Sequence, residues 1–300
     1  MTQLSLKDYF SLISLKEKYK PSKLYLYDYQ EVIDDLLYIL LQEDEDIKDF
    51  RIPTNYREKR HLLRGLLNRR EPRPLPQEFL TKMDSLLQAE LKNKKIVKIN
   101  ELDAVSELVP VTSFSKAHKL VLWQGDITVL ETDAIVNAAN NQMLGCFQPF
   151  HACIDNAIHS AAGPQLREDC AVIMSTQGSL ENTGKAKITR AYNLPSQFVL
   201  HTVGPIVPNG TKLTKQQNEQ LASCYISCLE LANKMDDIKT IAFCAISTGV
   251  FGFPKTEAAK IAVNTINNWL ESHQNHFDKV IFNVFSNEDY NEYLKVFQQS

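Results

Sequence analysis

The chain has 300 residues, and its 33 Lys and Arg against 36 Asp and Glu leave a formal net charge of −3. That balance exerts no global pull toward nucleic acid or an anionic membrane, so neither is expected as a partner. A hydrophobic fraction of 44% suits a folded chain of one large domain or two modest ones.

In chain order, Met1 is followed by polar, amphipathic sequence and not by the basic start and apolar core of a secretory signal. No apolar stretch approaches a membrane span. Residues 1 to about 105 read as helical. Val32, Ile33, Leu36, Leu37, Leu40 and Leu41 recur at helix spacing. So do Leu62, Leu63, Leu66 and Leu67, and then Phe79, Leu80, Met83, Leu86, Leu87 and Leu91. Pro72, Pro74 and Pro76 break the chain between the last two helices. Charge is uneven here. The run Glu43-Asp44-Glu45-Asp46 closes an acid-rich first fifty residues, and seven basic residues from Arg57 to Arg73 follow. The two blocks are expected either to be solvated, to pair with each other, or to touch a partner.

From residue 118 the texture changes. Apolar runs at 119–123, 133–136, 186–190, 197–203, 239–246 and 279–285 read as strands. Helical patterns lie between most of them, at about 152–162, 216–234, 256–271 and 287–297. Alternating strands and helices predict an α/β fold with a largely parallel sheet sandwiched between helices. Ligands bind such folds beyond the carboxyl ends of the strands. Gly125-Asp126, Asn137 to Asn140, and Ser247 to Gly252 all fall at such ends.

Asp126 suits either an exocyclic amine such as that of adenine or the N-cap of a short turn. Asn137 and Asn140 would be costly to bury unpaired, so they brace turns or face a polyhydroxylated ligand. Cys146, His151 and Cys153 place three good metal ligands within eight residues. Soft thiolates with an imidazole suit zinc, and three protein ligands leave a fourth position open. Their spacing matches no common zinc finger, and two buried cysteines beside an incidental histidine is the plain alternative. Six cysteines in a chain of this length do not form a secreted disulfide framework. A reducing, cytoplasmic location is therefore expected. Asp155 lies near a helix start, which favours the ionised carboxylate. The loop Ser247-Thr248-Gly249-Val250-Phe251-Gly252 joins a strand to a helix, either as an ordinary turn or as a backbone cradle for phosphates.

Together these strings resemble the macrodomain family, an ADP-ribose-binding α/β fold. The residues that carry the likeness are Gly125-Asp126-Ile127, Thr132 through Asn140, Ile154-Asp155, Ile158-His159 and Ala161-Ala162-Gly163. Thr183 to Ala186, His201 to Pro205 and Ser247 to Pro254 complete them, over residues 118 to about 297. In most hydrolytic macrodomains a glycine-rich run separates the second Asn from the Asp. Here the interval is longer and holds Cys146, His151 and Cys153. This is similar to the zinc-dependent subclass of microbial protein-ADP-ribose hydrolases, as is the helical extension.

The resemblance implies a macrodomain-type mixed sheet over residues 106–300, preceded by a helical N-terminal extension over 1–105. It implies Zn2+ on Cys146, His151 and Cys153. It implies Asp126 on the adenine amine, Ile127 lining that pocket, and Phe285 packing against the ring. Ser247, Thr248, Gly249, Val250 and Gly252 would hold the diphosphate, with Phe251 against the distal ribose. Asn140 and Asp155 would be catalytic at that ribose, with Asn137 in support. The implied activity is hydrolysis of ADP-ribose from acidic side chains of mono-ADP-ribosylated proteins. A non-catalytic ADP-ribose reader and a hydrolase of small derivatives such as O-acetyl-ADP-ribose are the alternatives. The implied partners are a lipoyl-carrier protein related to the glycine cleavage H protein, as substrate, and a sirtuin-type ADP-ribosyl transferase.

Overall fold

The computed structural model describes residues 4–22, 29–43, 47 and 50–299. Most of the acidic run, residues 44–46, lies outside the described residues. The extension contains α1 (Leu6–Tyr9), α2 (Tyr29–Gln42), α3 (Tyr56–Arg69) and α4 (Gln77–Lys92). Its three longer helices turn their apolar stripes inward around a core of their own, centred on Ile33, Leu36, Leu37, Leu63, Phe79 and Leu86. The basic block pairs with acids of the same unit. Lys59 meets Asp34 at 2.6 Å, Arg70 meets Glu43 at 2.6 Å, and Arg60 meets Glu90 at 2.6 Å.

The rest of the chain runs β1 (Val97–Lys98), α5 (Val105–Leu108), β2 (Leu120–Gln124), β3 (Leu130–Glu131) and β4 (Ala134–Ala139). Next come α6 (Ile154–Ala162), α7 (Pro164–Gln177), β5 (Ala186–Arg190), β6 (Phe198–Val203) and α8 (Lys215–Ala232). The chain closes with β7 (Thr240–Phe243), α9 (Lys255–Ser272), β8 (Lys279–Val284) and α10 (Asn287–Gln298). Six strands form one sheet in the order β2-β8-β7-β4-β6-β5. Every pair is parallel except β5 with β6, an antiparallel edge. The central strands β4, β6 and β8 are buried on both faces because helices cover both.

The extension is not a detached unit. Tyr9, Ile13 and Leu15 sit in the core of the sheet, and the Ile188 N–H donates to the Tyr9 hydroxyl at 3.1 Å. β1 pairs with β3 across the expected boundary near residue 105. Among the described residues no helix is long and apolar enough to cross a membrane.

Candidate metal centre and nucleotide cleft

The carboxyl ends of β2, β4, β7 and β8 open on one side, and the loops after them carry the residues of interest. After β2, Asp126 caps a single 3-10 turn: its Oδ1 accepts from Thr128 N at 2.9 Å and from Thr128 Oγ1 at 2.7 Å. Asp126 is thus an N-cap; the cap uses only one carboxylate oxygen, and the residue is exposed. Ile127 is buried beneath it, and Phe285, just past β8, is 80% exposed. Beside Asp126 a cavity of about 240 Å³ opens between α3, α4 and α6, with Arg60, Arg64 and Ser160 among its walls. The helices of the extension thus border the expected adenine end, which no local pattern announced.

After β7, the segment Ser247–Gly252 forms a compact loop. Phe253 N donates to Ser247 O at 2.9 Å and Gly252 N to Gly249 O at 3.0 Å. The N–H groups of Thr248 to Phe251 have no acceptor among the described residues. Such a row of free donors is suited to an anion. Ser247 holds φ +66 although it is not glycine, and its buried Oγ has no partner among the described residues. Strain of this kind concentrates where a loop is held for function.

After β4, the two carboxamides divide the work. Asn137 is fully buried and donates Nδ2 to Asp155 Oδ1 at 2.7 Å, and the same group faces His201 Nδ1 at 3.2 Å. Asn140 shapes the loop: its Nδ2 donates to Gly145 O at 3.0 Å and its Oδ1 accepts from Gln142 N at 2.9 Å. One N–H of Asn140 stays free for a ligand. Gly145 holds φ +79 and lies against the His159 ring, which a Cβ there would approach to 3.0 Å. Glycine is the residue that meets both demands.

Cys146, His151 and Cys153 come together. Their donor atoms lie within 4.8 Å of one another, and Cys146 Sγ is 3.6 Å from His151 Nδ1. That separation is close to the roughly 3.5 Å between sulfur and nitrogen ligands across a tetrahedral zinc. Cys153 is also the N-cap of α6, with its Sγ accepting from Asn156 N at 3.4 Å. Burial, with Cys146 and Asp155 nearby, pushes the Cys153 thiol up to about 12. Two sulfurs and a carboxylate so close repel as anions, and a divalent cation is the partner that would make the set favourable. The donor set therefore fits zinc in number, softness and spacing.

Asp155, in the first turn of α6, is 5% exposed. Burial raises its pKa to about 6, while the Asn137 hydrogen bond and the Arg167 charge hold it down. His159 faces it from one turn on, at 3.5 Å, and burial pushes that imidazole well below its ordinary range. A second trio of donors, His159, Cys170 and His201, also lies within 4.8 Å. All three are buried, and His201 among them is already engaged by protein partners. The Asp155 carboxylate orients the Asn137 amide so that its N–H faces His201 Nδ1, which leaves the proton on Nε2, donated to Thr189 Oγ1 at 3.0 Å. Burial also pushes the Cys170 thiol up.

Comparison with known proteins identifies the family of the fold. Residues 136–262 match the model of the Macro domain. A protein of Treponema medium named protein-ADP-ribose hydrolase is 47% identical over 261 residues, covering 87% of this chain and 96% of that one. One of the same name from Staphylococcus aureus (strain MRSA252) is 42% identical, over 89% of this chain and 95% of that one. Among solved structures, the Trypanosoma brucei macrodomain in complex with ADP-ribose superposes with a TM-score of 0.58 at 31% identity, covering 77% of this chain and 94% of that one.

Proposed function

We propose that this chain, which belongs to the macrodomain family, hydrolyses ADP-ribose from modified proteins, acting on esters to Asp or Glu side chains with a zinc ion beside the distal ribose. The names of its long relatives support removal of ADP-ribose from proteins. The observation that carries the zinc reading is the convergence of Cys146, His151 and Cys153 within 4.8 Å on the loop between Asn140 and Asp155.

In this reading Asp126 accepts the adenine amine with its uncapped oxygen, and Ile127 and Phe285 hold the ring. The donor row from Thr248 to Phe251 takes the diphosphate, and the Phe251 side chain borders the distal ribose. This binding positions the anomeric centre and supplies affinity, but not by itself the rate difference. Asn137 aims the Asp155 carboxylate, and Asn140 keeps its second N–H for a ribose hydroxyl. Asp155 orients that hydroxyl or takes a proton from the attacking water. Water adds across the ester, giving a free carboxyl side chain and ADP-ribose. Bound by the two sulfurs and Nδ1, zinc would polarise an oxygen of the substrate or lower the pKa of a water.

Cys146→Ala and Cys153→Ala are expected to lower turnover of a carboxylate-linked ADP-ribosyl protein by at least about 10²-fold. ADP-ribose affinity by calorimetry should change little. A metal-free protein with parental turnover would sink the zinc mechanism. Tight binding with no turnover in the zinc-loaded parent would instead leave a reader.

A further inference from the structure

We propose that α3 of the extension is part of the metal centre: Asn68, Arg64 and Gly65 are positioning residues that hold the Cys146–Cys153 loop in the shape that gathers its three donors. The inference rests on the zinc reading above and adds to it a role for residues far away in sequence.

The loop cannot hold itself. Its main-chain hydrogen bonds within 146–153 are His151 N to Gln148 O at 3.3 Å and Cys153 N to His151 O at 2.9 Å. Phe150, between the ligands, holds φ +59, and Met143 and Gly145 just before them hold +58 and +79. A non-glycine residue keeps such a backbone only when its surroundings fix it.

Those surroundings come from α3. Phe150 N donates to Asn68 Oδ1 at 3.3 Å, and its ring stacks on His61 with centroids 3.7 Å apart at 9°. The ring occupies the space that a side chain at Gly65 would need, since a Cβ there would lie 2.6 Å from it. A helix-interior glycine costs helix stability, and this close approach is the reason to keep it.

Asn156 ties the same helix to the ligands. It is 1% exposed, and both polar atoms of its side chain are used. Nδ2 donates to Gln148 O at 3.2 Å and to Asn68 Oδ1 at 3.1 Å. Oδ1 accepts from Arg64 Nη2 at 2.8 Å and from Ser160 Oγ at 3.2 Å. Its main-chain N–H meets the Cys153 sulfur. Thus one side chain joins α3, the middle of the loop and a ligand atom. Arg167 then anchors the end of α3, donating Nη1 to the carbonyls of Leu67, Asn68 and Arg70 while its guanidinium covers the Phe147 ring at 4.5 Å. Groups that orient ligands from behind typically change metal affinity 10–100-fold when removed.

The test measures zinc affinity of the full chain by competition with a chromophoric chelator. Asn68→Ala should weaken zinc binding by roughly 10–100-fold. Leu63→Ala, in the same helix but facing the core of the extension, destabilises α3 without touching the loop and should leave affinity within about twofold. Phe150→Ala removes the half-exposed stack with little risk to folding and should weaken binding several-fold. Parental affinity in both Asn68→Ala and Phe150→Ala overturns the proposal. So does an equal loss in Leu63→Ala, which would reduce the effect to general destabilisation. A parent that takes up no zinc sinks the metal reading itself, before any variant is compared.

Discussion

His201 shows what burial asks of a single residue. Its ring lies between Asn137, Thr189 and Cys170, and burial lowers its pKa from 6.5 to about 3. An unfolded chain would protonate this ring near its ordinary pKa, whereas the native chain does not. As pH falls from about 6.5 toward 3, the unfolded state therefore takes up a proton the folded state refuses, and stability declines. The stabilising contribution is complete above that window and lost through it. His201→Gln keeps a polar side chain of similar size without the titration. Between about pH 7 and 4.5 it should lose on the order of 2 kcal/mol less stability than the parent in urea unfolding. Parallel losses in the two proteins would show that another group governs acid unfolding. His159 titrates with the same sign, so the variant should reduce the acid loss and not abolish it.

At the scale of elements, β5 is informative because it is the antiparallel edge of the sheet and carries an inward-pointing charge. Lys187 pairs with Glu181 with both side chains almost wholly buried. An inward charge discourages a foreign strand from adding to an edge, at some cost in stability. Lys187→Met would leave the Glu181 carboxylate buried without its counter-charge and should cost roughly 3–5 kcal/mol in denaturant unfolding. Adding Glu181→Leu should recover most of that loss. A double variant as unstable as the single one would show that shape, not charge, is at stake. The strands and amphipathic helices were legible because their apolar residues follow a period of two, a continuous run or a period near 3.6. α7 was not legible. Its buried positions include Gln165, Arg167 and Asp169, so no apolar stripe marks it. The site divides the same way. Residue types announced Cys146, His151 and Cys153, but their convergence depends on φ values and on Asn68, which lies nearly eighty residues earlier. Asn140 could be named as important, yet its use in bracing Gly145 needed coordinates.

For the whole molecule, the question is why a helical unit with its own core stays seated on the sheet domain. Besides the apolar contact of Tyr9, Ile13 and Leu15 with the sheet core, the join has a polar node at Asp84 of α4, which has no exposed surface. Its Oδ2 accepts from Tyr19 Oη at 2.5 Å and Ser22 N at 3.1 Å, and its Oδ1 from Gln165 Nε2 at 3.0 Å and Asn193 Nδ2 at 2.8 Å. One carboxylate thus binds the chain before α2, helix α7 and the turn after β5. Asn193 also donates to Ala162 O at 3.0 Å, at the end of α6. Seating the extension and seating the end of α6 are therefore coupled through Asn193. The parent is expected to unfold in a single calorimetric transition, because neither core can open without stranding these groups. Asp84→Ala strands four donors at once and should cost roughly 3–5 kcal/mol. For a chain of this size that lowers the midpoint by roughly 5–10 °C. The transition should also broaden or split, as the extension loosens before the sheet. If Asp84→Ala unfolds in one sharp step at the parental midpoint, the two cores are joined by apolar contact and the polar node is dispensable.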